Sequence, residues 1–143
     1  MQTNALAAAT GFYSTAKDLS RYAAAHFLGD ATLLADASKR EMQQPYWHST
    51  QTDTHYGLGF TIVDIGERRL VGHSGGFPGF VTRTMFDPKD RLVIVVLTNA
   101  SRGAADQIGA ELYGSSTWRS AREARQRVVL PIVASGLRAV SST

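Results

Sequence analysis

The chain is 143 residues long, the length of one ordinary domain, and such a domain buries roughly 70% of the surface its unfolded form exposes. A hydrophobic share of 43% with 19% charged residues excludes a disordered chain, and a net charge of +3 without any base-reading motif or aromatic platform argues against a nucleic-acid binder. The absence of cysteine excludes disulfides, thiolate metal sites and a cysteine nucleophile together.

Residues 1–9 lack the basic segment and the long apolar run of a signal peptide. Ser14 and Thr15 offer helix caps, and Asp18 stands three residues after Thr15 as in a capping box. Leu19, Tyr22, Ala23, His26 and Phe27 follow at helical spacing up to Gly29, so an amphipathic helix is expected, with His26 packed on its apolar face. Asp36 is expected to cap a second, short helix ending before Pro45, and residues 46–55 read as a loop. Strands are expected at 56–63, 69–73, 80–86 and 92–98, separated by turn chemistry at 64–67, 75–79 and 87–90. Connections this short suit antiparallel neighbours, and the unbroken apolar run 92–97 calls for cover on both faces.

After Asn99 a helix is expected, with Ala104, Ala105, Ile108 and Leu112 as its apolar stripe and Gly114 as its end. Residues 118–129 carry Arg119, Arg122, Arg125 and Arg127 and read as a basic helix, with 135–143 as a frayed tail. The apolar stretch 128–140 contains Pro131, Gly136 and Arg138 and falls short of the ~20 residues that span a bilayer. The fold class expected is α+β, an antiparallel sheet flanked by helices. Residues 1–114 form its body, and 115–143 a basic helix and flexible tail.

The sharpest local signal is Gly72-His73-Ser74-Gly75-Gly76. It satisfies G-x-S-x-G, the nucleophile elbow, which needs a helix directly after the serine and a histidine further downstream. Phe77-Pro78-Gly79-Phe80 follows instead, and no histidine occurs after His73, so the elbow is rejected. Ser14-Thr15-Ala16-Lys17 fits S-x-x-K, but a serine capping a helix before a lysine explains it more simply. His26, His48, His55 and His73 show no metal-binding spacing, and no metal is expected.

Four segments in series carry a resemblance. They are Gly11-Phe12-Tyr13-Ser14-Thr15-Ala16-Lys17-Asp18-Leu19, Tyr56-Gly57-Leu58-Gly59-Phe60, the Gly72–Gly76 box with Pro78-Gly79-Phe80, and Leu97-Thr98-Asn99. Over residues 10–113 the chain resembles the C-terminal part of class C β-lactamase-like and penicillin-binding-protein-like serine hydrolases. In that group an H-x-G box stands in some members for K-T-G.

The resemblance implies acyl transfer from a small-molecule ester or amide, with no cofactor, no nucleic acid and no membrane partner. It implies catalytic roles for His73, which orients substrate, and for Gly76, whose N–H is one oxyanion donor. Ser74, Gly75 and Tyr56 would bind substrate. The family's catalytic S-x-x-K and Y-x-N or Y-x-S boxes lie upstream of the stretch resembled here. The chain is therefore expected to be a fragment, inactive alone, that self-associates or pairs with an N-terminal half. The alternative is a non-catalytic interaction module that retains only the sheet. Relatives are often periplasmic or extracellular, but nothing in these residues assigns a compartment.

Overall fold

A computed structural model describes residues 12–65, 67–115 and 129–134. The first helix, α1 (Ala16–Ala24), starts where the sequence marks it. Thr15 is the N-cap in an extended conformation, and its hydroxyl accepts the Asp18 N–H at 3.1 Å. The Asp18 carboxylate takes the Thr15 hydroxyl proton, not a backbone N–H, so the capping box is closed on one side only. The helix stops at Ala24, short of the expected run. His26 and Phe27 are still fully buried, in the turns that follow, and Gly29 at φ +84° redirects the chain. Tyr22, expected on the buried face, is about half exposed.

The second helix, α2 (Asp36–Met42), begins with Asp36 and is capped by Ala35, which makes no side-chain capping bond. Asp36 is thus the first helical residue, and its carboxylate instead accepts the Gly29 N–H. Its neighbour one turn on, Lys39, is completely buried and donates to the carbonyls of Phe27 and Asp30.

The expected loop at 46–55 contains a hairpin of β1 (Trp47–Ser49) and β2 (Thr54–Tyr56), in which Trp47 pairs with Tyr56 and His48 with His55. The strand expected at 56–63 is broken. Residues 57–60 form a turn closed by Gly57 N–H to the Phe60 carbonyl at 2.8 Å, with Gly59 at φ +79°. A Cβ at Gly57 would overlap the Met42 carbonyl. Then come β3 (Thr61–Ile65), β4 (Arg68–Phe77), β5 (Phe80–Asp87) and β6 (Leu92–Thr98), each antiparallel to the last. The strand expected at 69–73 runs on to Phe77, so Gly75 and Gly76 lie within β4. The turn there is reduced to Pro78-Gly79, Gly79 having φ +88°.

Helix α3 (Ala105–Gly114) follows as expected. A last strand, β7 (Val129–Ala134), pairs parallel to β6 and completes a seven-stranded sheet in sequence order. Periodicity missed β7, placing these six residues at the junction between a basic helix and a tail. The rest of that expected helix (118–128) and the expected tail (135–143) lie outside the described residues.

The sheet carries α1 on one face and α3 on the other, giving two cores. Ala16, Ala23, Phe27, Phe60, Ile62, Val71, Phe86, Val93 and Val95 form the first. Leu70, Met85, Leu92, Ile94, Val96, Ala105 and Tyr113 form the second. The alternation of β6 between the two cores accounts for its unbroken apolar run. The architecture is α+β.

Candidate active site

Strand β4 changes character halfway. Leu70, Val71 and Gly72 are buried, whereas His73, Ser74, Gly75, Gly76 and Phe77 are all exposed. The reason lies in the register. Pairing between β3 and β4 ends at Thr61 with Gly72, while pairing between β4 and β5 continues through Phe77 with Phe80. Among the described residues, β4 has a strand neighbour on one side only from His73 onward. An open strand edge presents unpaired backbone N–H and C=O groups.

The glycines of this stretch answer different needs. A Cβ on Gly72 would overlap the Thr84 carbonyl oxygen and lie 2.7 Å from Met85 Cα, so Gly72 permits the close approach of β5. A Cβ on Gly75 would come within 2.5 Å of Thr82 Oγ1, a side chain. A Cβ on Gly76 would meet no described atom within 4 Å, and Gly76 has no positive φ. Nothing in its described surroundings demands a glycine, and the space beside it is open.

His73 sits where β3 ends, and Tyr56 of β2 reaches into that gap. The Tyr56 hydroxyl and His73 Nε2 are 2.5 Å apart, with the two rings nearly perpendicular. His73 Nδ1 lies 2.5 Å from the Ser74 carbonyl oxygen. A carbonyl only accepts, so Nδ1 carries a ring proton, and in the neutral ring Nε2 then offers its lone pair to the phenol. Both ring nitrogens are therefore engaged by groups of the protein itself. Ser74 lies mid-strand with β5 opposite it and no helix behind it, so the elbow geometry is absent. Ser14 precedes the Thr15 cap, its hydroxyl donating weakly to the Thr15 carbonyl at 3.5 Å.

The structure thus brings His73, Ser74, Gly75, Gly76 and Tyr56 to one edge. Sequence reading missed three neighbours there. Trp47 stands beside Tyr56 in register, Thr82 faces Gly75, and the Ser101 hydroxyl accepts the Gly79 N–H at 2.8 Å and ties down the hairpin tip. No local pattern announces the Tyr56–His73 bond, because two strand connections separate the partners. Two surface depressions, of about 580 and 320 Å³, lie at the opposite end of β4 around Arg68 and Glu67. There Arg69 grips Asp64 through two bonds of 2.7 and 2.9 Å, which hold the Asp64 carboxyl below its ordinary pKa. Among the described residues no group of three or more histidine and acidic side chains is arranged to hold a metal ion.

A sequence model of the family described as Beta-lactamase matches residues 1–115, four-fifths of the chain. The chain belongs to the Beta-lactamase family. A search of curated proteins gave no match. Membership makes this a relative of serine hydrolases, and the six antiparallel strands with their three helices agree with part of a β-lactamase-like fold.

Proposed function

We propose that this β-lactamase-family chain supplies one wall of an acyl-transfer site of the class C-like type, with His73-Ser74-Gly75 as an H-x-G box. The observation that carries the reading is the open half of β4: five consecutive exposed residues with no strand partner on one side among the described residues. In this reading residues 1–114 are the C-terminal portion of the catalytic domain. The nucleophile and base come from S-x-x-K and Y-x-N boxes outside these 143 residues. The substrate is a small ester or amide.

The chemistry needs backbone donors fixed where the attacked carbonyl becomes an oxyanion. The His73 imidazole reaches the Ser74 carbonyl while bonded to Tyr56, and so from the open side of β4. Backbone groups two residues apart on a strand point the same way. Gly76 then directs its N–H to that open side as well, which supports its role as oxyanion donor. Gly75 and Gly76 let the substrate approach without a Cβ in the way. His73 and Tyr56 form the end wall, and Ser74 is a hydrogen-bonding side chain.

The test uses the polypeptide or assembly that carries the nucleophile, with acylation rate and melting temperature measured together. His73→Ala should slow acylation by about tenfold, the worth of the hydrogen bonds that order this wall. Gly76→Val should slow it by about 10³-fold, as expected for loss of an oxyanion donor. Neither should lower the melting temperature in proportion. Losses of rate that merely parallel losses of stability would reduce the box to a structural hairpin.

A further inference from the structure

His73 is held in a single hydrogen-bonding state by two groups of its own chain. Its Nδ1–H is spent on the Ser74 carbonyl, and its Nε2 lone pair on the Tyr56 hydroxyl. Tyr56 is itself fixed from both sides. Its carbonyl accepts the Tyr46 N–H at 3.0 Å, it pairs in register with Trp47 and Thr61, and the turn at 57–60 begins directly after it. The residues opposite His73 and Gly75 on β5 are Thr84 and Thr82, both uncharged. The cation opposite Ser74, Arg83, is mostly buried and turned to Asp106 of α3, 3.4 Å away.

We propose that Tyr56 is a positioning residue that fixes the neutral His73 ring as the Nδ1–H tautomer, so that this ring offers substrate no free imidazole N–H. The substrate class that follows is an ester or amide with no carboxylate beside the scissile bond, since such a carboxylate would face an imidazole whose N–H is already spent on the Ser74 carbonyl. The substrate half of this proposal rests on the acyl-transfer reading. The tautomer half does not.

The first measurement is a long-range ¹H–¹⁵N correlation spectrum of the ¹⁵N-histidine-labelled 143-residue chain. His73 should show a protonated, pyrrole-type Nδ1 and a pyridine-type Nε2. An Nε2–H majority in the unaltered chain overturns the proposal with no variant needed. In Tyr56→Phe, with the amide spectrum confirming the fold, His73 should shift towards the Nε2–H form, and an unchanged tautomer also overturns it.

The second measurement compares acylation of the nucleophile-bearing assembly by a neutral ester and by the same ester bearing an adjacent carboxylate. The unaltered protein should favour the neutral ester. Tyr56→Phe should narrow that preference by about tenfold, the worth of one hydrogen bond. An unchanged ratio contradicts the substrate half. No acylation of the unaltered protein by either ester would overturn the acyl-transfer reading and the substrate half with it, leaving the tautomer result to stand or fall by the spectrum.

Discussion

Gly72 and Gly76 sit four residues apart on β4, and their different surroundings separate a folding requirement from a functional one. A side chain at Gly72 collides with backbone, which cannot swing aside as a side chain can. Gly72→Val should therefore cost at least about 1–3 kcal/mol, the range for overpacking a tight site, and thermal melting would register it. A Cβ at Gly76 meets no described atom within 4 Å, so Gly76→Val should change stability by no more than about 0.5 kcal/mol, as for ordinary surface substitutions.

His26 gives a prediction in pH. It is fully buried between Tyr22, Phe60 and Phe86, and its Nδ1–H donates to the Tyr22 carbonyl at 2.9 Å. Burial, with a smaller contribution from Lys39, lowers its pKa below the ordinary 6.5, although the bond to Tyr22 opposes the shift. Between the two values the unfolded chain binds more protons than the folded one. Stability contributed by the neutral ring is complete above pH 6.5 and declines as the pH falls through the lowered pKa of the folded form. Denaturant melts of His26→Phe should lose this dependence. A variant as acid-sensitive as the parent would place the dependence elsewhere.

At the scale of elements, the C-terminal end of α1 is held by side chains from two other parts of the chain. Lys39 donates to the carbonyls of Phe27 and Asp30, Gln43 to that of His26, and Arg91 to that of Leu28 while lying over the Phe27 ring. These carbonyls lie just past the helix end, where the chain has no repeating partner of its own. Lys39→Met keeps the aliphatic stem but abandons buried acceptors, and should destabilise by at least about 1–3 kcal/mol. Urea titration measures this, and a neutral result would mean that water replaces the ammonium without penalty.

The same scale shows where sequence reading succeeds and fails. The capping residue of α1, the body of α3 and strands β5 and β6 were legible, because each buries a face and so carries a period. The hairpin of β1 and β2 was not, since β1 buries neither face and leaves no alternation to read. The strand expected at 56–63 breaks because Gly57 must pass against the Met42 carbonyl, a contact made by a distant helix end. The extension of β4 through Gly75 and Gly76 was hidden for the converse reason. Glycines read as a turn, and only pairing with β5 keeps them in a strand. The box itself was legible as a motif; the Tyr56–His73 bond within it was not.

For the whole molecule, the order of the antiparallel strands followed from short connections, and the cover on both faces of β6 from its apolar run. The parallel strand β7 was beyond reach of local pattern, because its partner lies far earlier in the chain, Val129 pairing with Val93. The molecule also leaves Trp47, Phe77 and Phe80 about half exposed or more around the open edge of β4. An unpaired edge beside aromatic surface favours association. Light scattering should show concentration-dependent oligomers with an apolar dye bound, whereas a monodisperse monomer that binds no dye would count against the exposed edge.

The most direct test of the central claim, that these residues form a wall of an acyl-transfer site and not its nucleophile, is treatment of the 143-residue chain with a fluorophosphonate probe. No stoichiometric labelling is expected, because Ser74 lies mid-strand opposite Arg83 and Ser14 precedes a helix cap. Covalent label recovered on Ser74 or Ser14, at one equivalent per chain, would contradict it.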